Sequence, residues 1–268
     1  MAESGKRVLL KISGEALADE QRFGIDAATL DRIASQIKAA LANGTQIGIV
    51  VGAGNIMRGS AIGGERGVER VTADYAGMLA TIINSLALQS ALERQGIDVC
   101  VHSAIPVQEV VEAFACRRAI EHLEEGGVVI FAGGTGNPYF TTDTAAALRA
   151  VEIGAHLVLM AKNKVDGVYE GNPRKTPGVR RFERLSYQEA IDRRLEVMDS
   201  TAVTLCMVHH LPIVVFDLQA PDGIVRAARG ERIGTLIGDT KTVYADAGVA
   251  SQRRRLFWEE LTHDRRDD

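Results

Sequence analysis

The chain has 268 residues, and 31 Lys and Arg against 35 Asp and Glu give a net charge of −4 with neutral histidines. That length can bury a full core as one large α/β domain or two fused lobes. The charge balance argues against general binding to nucleic acid or membrane surfaces. The apolar runs have the length of buried strands rather than of a membrane span, and residues 1–6 lack the apolar region of a signal peptide. We therefore expect a cytoplasmic protein.

Apolar strands alternate with helical patterns along the chain. Strands are predicted at 8–12, 47–51, 99–102, 128–132, 156–160 and 212–216. Asp26 is expected to cap a helix after the first strand, a long helical pattern covers 71–95, and Thr141 or Thr142 is expected to cap a further helix. Strands separated by such helices predict an α/β fold with a mainly parallel sheet sandwiched between helices.

Three of the predicted strands end in glycine-containing turns, at 11–15, 52–55 and 133–138, and Lys11 and Arg58 add positive charge to the first two. Glycine allows backbone N–H groups to converge on an oxyanion, while lysine and arginine neutralise phosphate charge. One such turn is weak evidence. Three of them, expected at the carboxyl ends of parallel strands, predict a phosphate-binding site.

Two common nucleotide motifs are missing. No GxxxxGK[ST] sequence occurs, and Met57 stands where the third glycine of a dinucleotide fingerprint would follow Gly52 and Gly54. These absences exclude a P-loop enzyme and weaken a dehydrogenase interpretation. The charged segment 162–167 is either a solvated loop or a loop that contacts a nucleotide, and its position after a strand favours the second. Three scattered cysteines without ligand spacing predict neither a disulfide framework nor a zinc site.

Five segments, 11–15, 52–59, 74–79, 134–143 and 164–169, resemble the ordered signature of the bacterial UMP kinases, which have the amino acid kinase fold. Segments 196–199 and 234–237 match in order, and the likeness runs from about residue 7 to residue 238. The resemblance implies one amino acid kinase-like domain over 1–238, with a UMP side at about 7–155 and an ATP side at about 156–238. It also implies transfer of the γ-phosphoryl group of ATP to UMP, and a hexamer that GTP activates and UTP inhibits.

The resemblance also implies roles for individual residues. The catalytic residues would be Lys11, Arg58, Asp143 and Lys164. The ATP-binding residues would be Lys11, Ser13, Gly14, Gly54, Arg58, Asn163, Tyr169 and Asn172. The UMP-binding residues would be Ala53, Asp74, Thr135, Gly136, Asn137, Pro138, Tyr139, Phe140, Thr141 and Thr142. Mg²⁺ is expected to bind mainly through ATP phosphate oxygens, with no fixed protein ligands assigned.

Two positions depart from the pattern of the UMP kinases, which usually have glycine at the position of Ala53 and aspartate at that of Asn172. The first change adds a methyl group near UMP, and the second removes a charge near the ATP ribose. Two alternatives stay open at this point. One is another phosphotransferase of the same fold that acts on a carboxylate or carbamate, and the other is a nucleotide-binding regulator with weakened catalysis.

The last 30 residues, 239–268, extend beyond the resemblance. They are either a loose extension or a segment that docks on the body or on a neighbouring subunit. The second interpretation predicts a helix over 252–266, with an apolar stripe of Leu256, Phe257 and Leu261 beside Trp258. Since the extension has none of the phosphate-binding residues, truncation after Gly238 is expected to preserve phosphorylation of UMP.

Overall fold

The computed structural model of the protein describes residues 6–18, 23–57, 67–173, 175–176, 178–195, 198–245 and 257. Its strands are β1 (Arg7–Ile12), β2 (Gln46–Val51), β3 (Val99–Ser103), β4 (Glu112–Ala113), β5 (Val128–Ala132), β6 (Leu157–Lys162), β7 (Phe182–Ser186), β8 (Ile213–Asp217), β9 (Thr235–Gly238) and β10 (Val243–Tyr244). Its α-helices are α1 (Ala27–Leu41), α2 (Arg70–Arg94), α3 (Cys116–Glu124), α4 (Thr142–Glu152), α5 (Tyr187–Asp192), α6 (Ser200–Val208) and α7 (Gly223–Ala228). A short 3-10 helix, Gly14–Leu17, follows β1.

All these strands belong to one sheet, in the order β10-β7-β9-β8-β6-β1-β2-β5-β3-β4. The pairs β8–β9 and β7–β10 are antiparallel, and the other pairs are parallel. The predicted α/β fold with a mainly parallel sheet is therefore confirmed. The six predicted strands are its central strands, whereas the short β4 and the peripheral β7, β9 and β10 were not predicted as strands.

Helices cover both faces of the sheet because side chains alternate along each strand. In β1, Leu10 packs into one core with Ile33 and Ile37 of α1, and Leu9 packs into the opposite core with Ala146 of α4. Both leucines are fully buried, and burial of such a side chain stabilises the fold by about 1.5–3 kcal/mol. Since β1 also pairs with both β2 and β6, the expected UMP and ATP portions share one continuous sheet.

The helix caps agree with the sequence. The Asp26 side chain accepts a hydrogen bond from the backbone N–H of Thr29 at the start of α1. At the start of α4, Thr141 rather than Thr142 is the cap, and its side chain accepts from the N–H groups of Asp143 and Thr144. These contacts satisfy N–H groups that have no partner within the helix.

Helix α2 is long and apolar enough to cross a bilayer by length and composition alone. Its packing is instead that of a core helix, because it contacts α1, β3 and β5. Thr81, Asn84 and Ser85 are buried on α2, and all three side chains form hydrogen bonds inside the protein.

The C-terminal extension contacts the body at several described places, of which two are extensive. Strand β10 pairs with β7 at the edge of the sheet. Further along, Phe257 is 1% exposed and joins the core that contains α1 and α2, and its N–H donates to the carbonyl of Gly230 at 2.6 Å. Phe257 is thus docked on the body, while the predicted helix and its other members, Leu256, Trp258 and Leu261, lie outside the described residues.

Candidate active site

Three charged side chains meet at the carboxyl edge of the sheet. Lys11 lies near the end of β1, Lys162 is the last residue of β6, and Asp143 is in the first turn of α4. Lys11 is 6% exposed, and its Nζ lies 2.5 Å from Oδ1 of Asp143. Lys162 also interacts electrostatically with Asp143 and with Lys11. This cluster holds the buried Lys11 and the partly buried Lys162 around a single carboxylate, so it has an excess positive charge suited to an anion.

The ionisation of the cluster follows from burial and charge together. Burial opposes the charged form of Asp143, but the ammonium groups of Lys11 and Lys162 outweigh it, and the pKa of the carboxyl is lowered. For Lys162, burial lowers the pKa, and the repulsion from Lys11 acts in the same direction against the attraction of Asp143. A phosphate between the two lysines would relieve this repulsion.

The turns after β1 and β2 touch each other at glycine. A Cβ atom on Gly14 would lie 2.5 Å from Oδ1 of Asn55 and 2.6 Å from both the carbonyl of Gly52 and the N of Gly54. No side chain fits there, so position 14 requires glycine because the two backbones approach each other closely. The third turn, after β5, has positive φ at Gly133, Gly134 and Gly136, so it adopts a backbone conformation that other residues disfavour.

Helix α2 holds these turns in place through polar side chains that the sequence analysis did not single out. Asn84 donates to the carbonyl of Gly52 at 2.8 Å and pairs with the buried amide of Asn55. Thr81 accepts a hydrogen bond from the N–H of Gly133 at 2.8 Å. Their spacing of three residues along the helix was too weak a signal to find them, since buried Asn and Thr also occur as core residues.

Asp199 makes a second set of contacts that the residue patterns did not predict. Its carboxylate accepts hydrogen bonds from the hydroxyls of Thr141 and Thr144 and from the N–H of Ala202, the last of which caps α6. Asp199 therefore ties the start of α6 to the start of α4, the turn that carries Asp143. The match of 196–199 to the family signature was the signal available for it.

A cavity of about 460 Å³ opens beside Lys162 on the β7 side of the site. Of the residues expected to contact the adenosine part of ATP, Tyr169 and Asn172 line it, whereas Asn163 does not. The other lining residues are Val165, Gly167, Val168, Glu170, Gly171, Pro173, Lys175, Arg193, Arg194, Leu195 and Val215. The Tyr169 hydroxyl donates to Asp166 at 2.7 Å, which fixes the ring at this wall.

A second cavity, of about 280 Å³, lies between α2 and the turn after β5. Six of the residues expected to bind UMP line it: Ala53, Asp74, Thr135, Phe140, Thr141 and Thr142. Gly136, Asn137, Pro138 and Tyr139 belong to the same turn without lining the cavity. Asp74 accepts from the N–H of Tyr139 at 2.9 Å and forms an ion pair with Arg70, one turn away on α2.

The remaining predicted residues fall in different places. Ser13, Gly14 and Gly54 lie at the touching turns after β1 and β2, beside Lys11. Lys164 is exposed, at φ 59°, and its N–H donates to Asp217 at 3.0 Å. Lys162, two residues earlier, interacts with Asp143 as Lys11 does, although the residue pattern predicted no catalytic role for it. Arg58 lies outside the described residues.

The fold and this site define an α/β protein with a positively charged cluster, suited to phosphate groups, at the carboxyl edge of a mainly parallel sheet between two cavities. The chain belongs to the amino acid kinase family, whose sequence model matches residues 6–217.

Solved structures agree with that assignment. The chain is similar to a UMP kinase from Bacillus anthracis, with 38% identity, a TM-score of 0.87, and coverage of 91% of this chain and 100% of the other. It is similar to a UMP kinase from Ureaplasma parvum, with 36% identity, a TM-score of 0.82, and coverage of 87% and 99%. It is also similar to a uridylate kinase from Archaeoglobus fulgidus, with 29% identity, a TM-score of 0.66, and coverage of 86% and 99%.

Proposed function

We propose that this protein is a UMP kinase, which transfers the γ-phosphoryl group of ATP to UMP and releases ADP and UDP. The observation that carries the proposal is the Lys11–Asp143–Lys162 cluster between two cavities, one of them lined by Asp74 and the turn after β5. The similarity to UMP kinases over nearly their whole length supports the same conclusion.

The two cavities suggest an arrangement of the substrates. The larger cavity, with Tyr169 and Asn172, would take the adenosine part of ATP, so that its phosphates reach the turns at Gly14 and Gly54. The second cavity would take UMP, with the Asp74 carboxylate available to hydroxyl donors of the ribose. The reacting phosphates of the two nucleotides would then meet at Lys11 and Lys162.

In the proposed reaction, a phosphate oxygen of UMP forms a bond to the γ-phosphorus of ATP while the bond from that phosphorus to the bridging oxygen breaks. The UMP oxygen is already nucleophilic at neutral pH, so no strong general base is required. The work of the protein is alignment and neutralisation of charge. Lys11 and Lys162 would stabilise the charge on the transferring group, and Asp143 would keep the two ammonium groups in position.

We propose that ATP enters as its Mg²⁺ complex. Among the described residues, no group of three or more His, Cys, Asp or Glu side chains is arranged to hold a metal ion, and Asp143 is already paired with Lys11. This donor set suits an ion bound mainly through phosphate oxygens, where it would neutralise part of their charge.

We also propose that the protein is a cytoplasmic homo-oligomer. Tyr75, Leu79 and Ile83 lie four residues apart on α2 and are 43–51% exposed, which gives a stripe of apolar surface on one face of the helix. A second copy of the chain would cover such a stripe. The resemblance to the bacterial UMP kinases supports a hexamer, activation by GTP and inhibition by UTP. Light scattering tests the hexamer, and turnover measured with and without GTP or UTP tests the activation and the inhibition.

The test of the proposed function is release of ADP, followed in a coupled assay with UMP, CMP and dCMP as acceptors. We expect turnover with UMP and little with the cytosine nucleotides. Lys11→Ala is the matched control, and it should remove turnover while the circular dichroism spectrum is unchanged. A carboxylate or carbamate acceptor that outperforms UMP would contradict the proposal, as would a wild-type protein that binds both nucleotides without turnover.

A further inference from the structure

Strand β10, in the C-terminal extension, carries a tyrosine with an unusual number of contacts. The ring of Tyr244 stacks on Phe182 with the ring centroids 4.7 Å apart. On the same ring, the guanidinium of Arg180 lies 3.6 Å from the centroid. The hydroxyl accepts a hydrogen bond from Nη1 of Arg193 at 3.3 Å. Tyr244 thus joins two separate segments of the body, the one at Arg180 and Phe182 and the one at Arg193.

Two of the groups that Tyr244 reaches are walls of the larger cavity. Arg193 and Glu170 both line it. Hydrogen bonds from Arg180 lower the pKa of the Glu170 carboxyl, and a hydrogen bond from Tyr244 lowers it further. The ion pair between Arg180 and Glu170, with Nη2 to Oε2 at 3.2 Å, completes a connected set around the tyrosine.

The extension is held to the sheet independently of these side-chain contacts. Beyond the pairing of β10 with β7, the N–H of Ala245 donates to the carbonyl of Arg181 at 2.9 Å, and the N–H of Ser186 donates to the hydroxyl of Thr242 at 3.2 Å. These bonds hold the strand in place without the Tyr244 side chain, whose own contacts are with the residues of the cavity wall.

We propose that Tyr244 is a positioning residue for the nucleotide in the larger cavity, through its contacts with Arg193 and with the Arg180–Glu170 pair. The substrate assignment, ATP, rests on the proposed function. Without the tyrosine, Arg193 keeps its ion pair with Glu189 but loses the hydrogen bond that directs its other side, and the arginine then has more freedom at the cavity wall.

This role changes the expectation for the extension. Removal of everything after Gly238 takes away Tyr244 together with β10, so the extension is more than a dispensable tail even though it has no phosphate-binding residue. Weaker binding in the ATP cavity is the expected consequence, with binding of UMP unaffected.

The experiment measures ADP binding by calorimetry and the KM values for ATP and UMP on full-length variants. Tyr244→Ala should weaken ADP binding and raise the KM for ATP on the order of tenfold, from the loss of one cation–π contact and one hydrogen bond. Tyr244→Phe keeps the ring and should give a smaller change, about threefold. Val243→Ala, on the same strand but 37% exposed, is the control and should change neither value.

The outcomes separate this inference from the proposed function. ADP binding does not require turnover, so a wild-type protein that binds ADP without phosphorylating UMP would refute the function and leave the role of Tyr244 testable. Unchanged ADP binding in Tyr244→Ala overturns the inference, as does an equal rise in both KM values, which would indicate a general loss of structure. If Tyr244→Ala does not fold, ADP binding by Tyr244→Phe decides the question in the same way.

Discussion

Replacement of one lysine at a time tests whether the second catalytic lysine is Lys162, as the structure indicates, or Lys164, as the sequence predicts. Lys162 is partly buried and interacts with Asp143, whereas Lys164 is exposed and its backbone N–H donates to Asp217. We predict that Lys162→Met lowers kcat while Lys164→Met leaves it near the wild-type value. Methionine retains much of the length of lysine and removes only its charge and donors, so the two variants form a matched pair.

The size of the effect follows from the surroundings of Lys162. Removal of one preorganised charge from a reacting oxyanion costs about 3 kcal/mol, or on the order of a hundredfold in kcat. The fold should tolerate the change, because burial disfavours the ammonium group of Lys162 and Asp143 keeps Lys11 at 2.5 Å. We therefore expect a change of about 1 kcal/mol or less in the free energy of unfolding.

The assay is single-turnover transfer from ATP to UMP at saturating concentrations of both, with unfolding by urea measured on the same preparations. A folded Lys162→Met protein with wild-type kcat would refute the assignment. So would a large loss in Lys164→Met alone, which would return the catalytic role to the residue that the sequence favours.

Three further predictions concern charge, binding and packing. The folded-state pKa of Lys162 is lowered below 10.5, so kcat/KM should begin to fall with rising pH before an ordinary lysine titrates. Lys162→Arg should shift this fall in the pH profile of kcat/KM to higher pH. An unchanged profile would exclude Lys162 as the group whose titration causes the fall. By linkage, stability rises with pH between the lowered pKa and 10.5, because the unfolded chain there binds more protons. Asp74→Asn should raise the KM for UMP more than that for ATP, and a change in the ATP parameters alone would reverse the two subsites. Gly14→Ala should destabilise the protein by about 1–3 kcal/mol in urea unfolding, because its Cβ would lie 2.5 Å from Asn55, whereas Gly77→Ala, with open space around its Cβ, should not.

The sequence predicted the central fold because its strands are short apolar runs bounded by glycine. The strands ending near Ile12, Val51 and Ala132 each lead into a turn that is recognisable from residue types alone. Peripheral strands gave a weaker signal. Strand β7 contains Glu183 and Arg184 and has partly exposed residues, so it lacks the continuous apolar character of a strand buried on both faces.

The position at which β6 ends determines which lysine lies beside Lys11 and Asp143. The sequence predicts a strand at 156–160, but β6 continues to Lys162, where it pairs with Asp217 of β8. The chain then turns, and Lys164 adopts a positive φ. Spacing along the sequence does not reveal where a strand stops, because its last residues are held by pairing with neighbours rather than by their own propensities.

The sequence by itself determined that this protein has an α/β fold, three glycine turns suited to phosphate, and the motifs of a kinase family, because these depend on local residue types and their order. Only the tertiary structure decided how the turns meet. The order β6-β1-β2-β5 brings together strands that are far apart in the chain, and this places Lys11, Asp143 and Lys162 in one cluster. It also placed Tyr244 behind the larger cavity, since pairing between β10 and β7 depends on contacts across some sixty residues of chain that no local pattern records.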